Sequence, residues 1–396
     1  MKCKICKGNL NTLLDLGMQP LANKYPKDDN EKANEQKWQM DVLICSECRC
    51  ASIANVIDRE LMFNDYYYLS SVNPELVSHF EELAEKLRRS AFVLDIGSND
   101  GVLLRPLSKN NVKCLGVDPS INVGKIANDE GLETIIGFFN KETARRIYDE
   151  HGCPEHIVAS SMFTHLEHPD QFVEDVRTLC NEKTQVIIEI EYLAELIANI
   201  QFERFYFDRP FYYSIQAMKV LFDNRGFKLN DVEKITPHGG SLRLTFSLNN
   251  SEHPINKRVE QALLNEEKKL GAKAIQLFKD EMESQSNLLK EFLERCVSEQ
   301  LSVCAYGAPA RLATITNYIG ITDKLLDCVF EDSPLKIGRY TPGMHIPILS
   351  SENINQYKID VLVVFAYEYI NSIYKKTSVL GVPHYAPIPL KKIRDC

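Results

Sequence analysis

Apolar positions along this chain follow two periods, and the period switches repeatedly. Between residues 91 and 250, short apolar runs bounded by turn residues alternate with segments whose apolar residues recur every three or four positions. That pattern predicts strands near 92–96, 113–117, 156–160, 185–190 and 242–248 with helices between them. Pro74 to Arg89 reads as a helix with Pro74 in its first turn. Met218 to Gly226 reads as an amphipathic helix that stops at Arg225-Gly226. Residues 255–299 are charge-rich, with apolar residues such as Leu263, Leu270, Phe278, Leu289 and Leu293 at helical spacing. They predict one or two long helices joining domains, or a coiled-coil stalk. From 301 an α/β pattern restarts, with strands expected at 301–306, 326–330 and 360–365 and a helix from Leu312 to Ile319.

One stretch stands out within this pattern. Val93-Leu94-Asp95-Ile96 is a strand, Gly97-Ser98-Asn99-Asp100-Gly101 a tight turn, and Val102-Leu103-Leu104 the start of a helix. This is the first unit of a nucleotide-binding α/β domain. Gly97 and Gly101 let a ligand approach the backbone, because neither has a Cβ. Asp95 and Asp100 put carboxylates at the mouth, which repel a pyrophosphate and suit a cationic, hydroxyl-rich nucleoside such as S-adenosylmethionine. The second strand ends in Asp118-Pro119, about 20 residues on, where an acid accepts hydrogen bonds from ribose hydroxyls. A dehydrogenase would carry Gly-x-Gly-x-x-Gly, which Gly97 to Gly101 does not match.

Composition narrows the class. At 396 residues and 44% hydrophobic content the chain can hold two or three domains with sizeable cores. A net charge of −9 disfavours nucleic acid or an anionic membrane as partner. No apolar run reaches the roughly 18 residues of a membrane span, and Met1-Lys2-Cys3-Lys4 has no signal core behind it. A soluble cytoplasmic protein is expected, its twelve cysteines reduced. Five of these lie in the first fifty residues. Cys3-x-x-Cys6 and Cys45-x-x-Cys48 form two knuckles that complete a four-thiolate site of the kind Zn²⁺ favours, with Cys50 an alternative ligand. With no open coordination position, such a metal is structural.

Further candidates follow from residue chemistry. Tyr66, Tyr67 and Tyr68 precede the nucleotide-binding unit. His165 lies in the loop after the 156–160 strand, where it could act as a base, a donor or a helix cap. Gln201 to Ser214 interleaves aromatics with Glu203, Asp208 and Arg209, a composition typical of a substrate pocket or of rings packed on the sheet. His238-Gly239-Gly240-Ser241-Leu242-Arg243 offers polar groups around glycines. Gly307-Ala308-Pro309-Ala310-Arg311 opens a helix and could hold phosphate on its backbone N–H groups, with Lys336 and Arg339 adding positive charge.

Taken together these stretches resemble the deoxysugar C-methyltransferases of the mycarose and tetronitrose type. The resemblance runs through Cys3-x-x-Cys6, Asp15 to Asn23, Cys45-x-x-Cys48, Tyr66 to Ser71, Asp95 to Gly101, His165, His238 to Arg243, Tyr306 to Ala310, and Gly338 to Pro347. It implies an α/β chain in which a class I methyltransferase Rossmann-like domain is flanked by a small N-terminal zinc-binding domain and a C-terminal Rossmann-like α/β domain. The expected bounds are 1–72, 73–252 and 253–396. It also implies C3 methylation of a 4-keto-deoxysugar on a nucleoside diphosphate, through an enolate, by a monomer or homodimer. The cofactor site on this reading is Tyr68, Asp95, Gly97, Asn99, Asp100, Gly101, Asp118, Pro119, Phe138, Ser160 and Ser161. The substrate site is Tyr66, Arg243, Gly307, Ala308, Pro309, Arg311, Lys336, Arg339 and His345.

One departure bears on the chemistry. The family carries Tyr-His-Glu-His in its aromatic loop, with the last His as base. Here the run is Tyr206-Phe207-Asp208-Arg209. A guanidinium does not deprotonate in proteins, so the base falls to His165, Tyr206, Asp208 or His238. An O- or N-methyltransferase, or a non-catalytic binding protein, is the alternative.

Overall fold

The computed structural model describes residues 1–57, 69–237 and 240–393. The expected positions Tyr66, Tyr68 and His238 therefore lie outside the described residues. Three sheets succeed one another along the chain. The first begins with β1 (Leu10–Gln19), β2 (Trp38–Cys45) and β3 (Ala51–Ile53). The middle of the chain contributes β4 (Phe92–Ile96), β5 (Lys113–Asp118), β6 (Thr134–Ile136), β7 (His156–Ser160), β8 (Gln185–Glu191), β9 (Phe211–Tyr212), β10 (Phe227–Ile235) and β11 (Ser241–Leu248). The last part holds β12 (Val303–Tyr306), β13 (Cys328–Glu331), β14 (Ile348–Ser350), β15 (Val361–Val364), β16 (His384–Ala386) and β17 (Lys391–Ile393).

The central sheet runs β10-β11-β8-β7-β4-β5-β6. β4 to β8 are parallel, and β11 is antiparallel to both neighbours. Every residue of β4 is buried, as expected of a parallel strand with helices on both faces. The strand order reverses between β4 and β7, so their carboxyl ends flank the crevice where open α/β sheets bind ligands. The C-terminal sheet runs β14-β13-β12-β15-β16-β17 and has its own reversal, between β12 and β15.

Two segments cross the expected domain bounds. β9 pairs with β3, so the fourth strand of the first sheet is supplied by residues 211–212 of the aromatic loop. The helix Arg258–Lys269 packs on β10 and on the helices Leu193–Ala198 and Ile215–Asp223 of the central unit. Glu266 seals that contact by accepting the N–H groups of Ile215 (2.5 Å) and Gln216 (2.9 Å), donors that the start of a helix leaves unpaired. The helix Ala272–Ser298 then reaches the C-terminal sheet. No helix among the described residues is long and apolar enough to cross a membrane.

The five strands expected in the central region are observed close to their expected limits. β6, β9 and β10, and β14, β16 and β17 in the last sheet, were not anticipated.

Candidate functional site

The glycine turn adopts the backbone its sequence demands. Gly97 and Gly101 have φ of +80° and +81°, and Asn99 has +50°. A Cβ on Gly97 would lie 2.9 Å from Met162, so the turn admits no side chain there. Asp118, at the end of β5, accepts the N–H of Asn99 on one oxygen and that of Ser120 on the other, each at 2.9 Å. The carboxylate is thereby fixed at the lip of the turn. On the other side, Ser70 N–H donates to Asn99 Oδ1 at 2.9 Å and the Ser71 hydroxyl donates to Asp100. Pro119 and Phe138 form an exposed rim after β5 and β6, Phe138 with two-thirds of its surface open. Ser160 ends β7 and Ser161 follows it, and the Ser160 hydroxyl donates to Glu189 at 2.6 Å. All these positions gather at one edge of the central sheet.

This edge fits S-adenosylmethionine. Asp95 is buried, and that burial, with Asp118 and Glu189 nearby, pushes its carboxyl up to about 8. Asp118 is likewise raised, by burial. Asp100 Oδ1 and Ser98 Oγ are buried without a hydrogen-bond partner among the described residues. A cationic, hydroxyl-bearing ligand relieves all of these at once, whereas an anionic one worsens them.

Next to this edge lies a second set of groups. His165 follows β7, and its Nδ1–H donates to the backbone carbonyl of Asp208 at 2.7 Å. A carbonyl can only accept, so the proton sits on Nδ1 and Nε2 is the basic nitrogen. Burial lowers the imidazole below its ordinary range and keeps it neutral. Arg209 Nη1 donates to Glu191 at the end of β8, at 2.5 Å. Against the burial that opposes it, the Glu191 and Asp208 carboxylates hold this guanidinium above its ordinary range. Glu191 also takes Arg204 Nη1, at 3.4 Å. Tyr206 is buried beside them, its phenol pushed up to about 12 by that burial, with the Arg209 guanidinium 5.5 Å from the ring centre.

The C-terminal domain closes the far side. Arg311 Nη2 donates to Glu368 at 2.7 Å and lies 4.4 Å over the Tyr367 ring. Arg204 also pairs with Glu368, and the Tyr367 hydroxyl donates to Glu203. Nε of Arg204, Nε of Arg209, and Nε and Nη1 of Arg311 are buried without partners among the described residues. Three guanidiniums thus converge with donors to spare where the ligand edges of two α/β sheets face each other.

The remaining expected substrate residues are placed elsewhere. Arg243 is buried on β11, committed to Glu189 (2.7 Å) and Glu233 (3.2 Å) with His79 alongside, so it braces the sheet. Arg339 donates to the carbonyl of Tyr25, and His345 pairs with Glu35 at 2.6 Å. Both fasten the first domain to the third. Lys336 donates to the Ala308 carbonyl at 3.0 Å. The Gly307-Ala308-Pro309 turn is no open phosphate cradle, since Glu331 already takes the Ala308 N–H at 2.8 Å. A Cβ on Gly307 would strike Ala366 at 2.5 Å, which gives that glycine a packing reason. Sequence reasoning missed Glu191, Arg204, Tyr367 and Glu368. Only Glu191, an acid at a strand end, carried a signal.

The thiols of Cys3, Cys6, Cys45 and Cys48 all lie within 4.8 Å of one another. Cys3 and Cys48 are 3.7 Å apart and Cys6 and Cys45 3.4 Å. Tetrahedral Zn–S bonds of about 2.3 Å require sulfur separations of about 3.8 Å, so the cluster fits Zn²⁺ closely. Backbone N–H groups of Ile5, Gly8 and Glu47 point at three of the sulfurs, each at 3.4 Å, as thiolate acceptors ask. Cys50 is not in the cluster. Its thiol faces the carbonyls of Ala51 and Tyr212.

Comparison with known proteins accords with this layout. Three family models match in tandem: a zinc binding domain over residues 3–63, a methyltransferase domain over 68–232, and a C-methyltransferase C-terminal domain over 236–384. The C-methyltransferase NovU of Streptomyces niveus is 26% identical over 378 residues, covering 93% of this chain and 90% of its own. Among solved structures, the PH0226 protein of Pyrococcus horikoshii OT3 is similar to 47% of this chain over 97% of its own, with 17% identity and a TM-score of 0.38. The magnesium protoporphyrin IX methyltransferase of Synechocystis PCC 6803, solved with bound SAH, is similar to 43% of this chain over 82% of its own, with 13% identity and a TM-score of 0.35.

Proposed function

We propose that this chain, which belongs to the S-adenosylmethionine-dependent C-methyltransferases with an N-terminal zinc-binding domain, methylates the carbon beside the ketone of a nucleoside-diphosphate-linked keto sugar. Its cofactors are S-adenosylmethionine and a structural Zn²⁺. The observation that carries the acceptor chemistry is the fixed tautomer of His165, whose Nδ1–H is tied to the Asp208 carbonyl so that Nε2 is the base.

A C–H beside a ketone is acidic enough for a positioned imidazole to remove. His165 takes that proton, and the electron pair moves to the ketone oxygen as an enolate. Tyr206, whose proton burial retains, and the guanidiniums of Arg209 and Arg204 supply the donors that the developing oxyanion needs. When bound, S-adenosylmethionine supplies an electrophilic methyl group to the enolate carbon. Arg209 stays protonated through its pairing with Glu191, so it is a charge partner and not the base. The spare donors of Arg311 suit the diphosphate of the substrate, held between the two α/β domains. Domain bounds near 1–72, 73–252 and 253–396 go with this reading, with 211–212 lent to the first sheet and the helix Arg258–Lys269 packed on the central unit.

The test is a mass-spectrometric screen of sugar nucleotides with S-adenosylmethionine. Keto-sugar nucleotides should gain the mass of one methylene, and their alcohol counterparts should not. Methyl transfer to acceptors lacking a ketone would refute the reading.

A further inference from the structure

The sequence treats the cysteine knuckles and the aromatic loop as separate features, about 150 residues apart. The structure joins them. β9 adds the loop to the first sheet, with Tyr212 opposite Ala51 and Phe211 opposite Ser52. Ile53 N–H donates to the Pro210 carbonyl at 3.1 Å. At the end of the loop, Ser214 is fully buried, and its hydroxyl donates to the backbone carbonyl of Cys48 at 2.5 Å. The same oxygen accepts the N–H of Ala217 at 2.8 Å, capping the helix Ile215–Asp223.

The contact continues into the acceptor site. The Tyr212 hydroxyl accepts the N–H of Tyr206 at 2.8 Å and donates to the carbonyl of Arg204 at 2.9 Å. Earlier in the loop, Phe207 meets Trp38 of β2 edge-on, ring centres 6.1 Å apart. A two-residue strand cannot hold its own shape and depends on the strand it joins. That partner belongs to a small unit whose folding a structural metal underwrites.

We propose that Ser214 is a positioning residue through which the four-cysteine knuckle holds the loop carrying Arg204, Tyr206 and Arg209 in its working geometry. The zinc module is then part of the acceptor site, acting through Cys48 and Ser214. The proposal rests on that loop forming the acceptor site, but its test needs no substrate, so the two can fail separately.

The test compares Ser214→Ala and Ser214→Gly in the full, zinc-loaded chain by hydrogen exchange. Glycine caps a helix nearly as well as serine but cannot donate to Cys48. Both variants should keep zinc at the wild-type stoichiometry and leave exchange over residues 93–103 unchanged. Both should raise exchange over residues 204–213 by about 10-fold, the factor one lost hydrogen bond of ordinary strength allows. Emission from Trp38, the chain's single tryptophan, should move with it. Wild-type exchange over 204–213 in both variants would overturn the proposal. So would restoration by glycine, which would reduce Ser214 to a helix cap, or faster exchange over 93–103 as well, which would mean general loosening.

Discussion

Asp95→Asn should make the cofactor-free protein more stable at alkaline pH while abolishing its response to cofactor. Asp95 is 3% exposed and next to last in β4, and its burial first, then Asp118 and Glu189, raise its carboxyl from the ordinary 3.8 to about 8. A carboxyl raised on folding keeps a proton in the native state that the unfolded chain has released. Stability therefore falls as pH rises from about 4 to about 8, and the whole cost is present above 8. At about 1.4 kcal/mol per pH unit, that cost is on the order of 5 kcal/mol. Asparagine keeps the shape and removes the charge. In thermal unfolding without ligand, the variant should melt above wild type at pH 8.5, with a much smaller gap at pH 5. With S-adenosylmethionine at pH 8.5 only the wild type should gain, because the sulfonium and amino group offset the buried negative charge. A variant that melts below wild type at pH 8.5, or that binds S-adenosylmethionine as tightly, would overturn this role of Asp95.

Other outcomes follow from the same geometry. Arg209→His should not raise activity and should destabilise the protein by about 3 kcal/mol, since it removes the 2.5 Å guanidinium partner of the buried Glu191, while Arg204 stands farther off at 3.4 Å; denaturant unfolding and turnover check both. Burial holds His165 below its ordinary 6.5, so the acid limb of the kcat/KM profile should fall below that value, and a limb above pH 7 would point to another base. Cys48→Ser should release zinc, measured with a colorimetric chelator, and unfold the first sheet, while a chain that keeps full zinc would shift the site to other ligands. Arg311→Ala should raise KM for the sugar nucleotide about 10-fold or more and leave S-adenosylhomocysteine affinity unchanged, as one charge-assisted contact to a diphosphate implies.

Local chemistry made part of this site legible in the sequence. The Gly97–Gly101 turn and each Cys-x-x-Cys pair announce themselves through neighbours a few residues away, and Asp118 through its place at a strand end about 20 residues after the turn. The central strands were legible because each is a short, largely apolar run or, in β11, an alternation of polar and apolar positions, bounded by turn residues. β9 was not, since two residues beside Pro210 have no period, and their partner lies about 160 positions upstream. Cations were visible as residues but not as pairs. Arg243, Arg339 and His345 looked available for substrate until the fold brought Glu189, the Tyr25 carbonyl and Glu35 against them. Conversely, Arg204, Tyr367 and Glu368 carry no local signal of their own, and Glu191 shows only as an acid at a strand end. They matter only because the ligand edges of two separate sheets are folded face to face.

The role proposed for His165 is to remove the proton beside the acceptor's ketone. It is tested most directly by incubating a 4-keto sugar nucleotide in deuterium oxide with S-adenosylhomocysteine and following deuterium at the adjacent carbon. Wild type should incorporate deuterium without turnover, and His165→Gln should be slower by about 100-fold, within the usual worth of a general base. Exchange at the wild-type rate in His165→Gln would contradict the assignment.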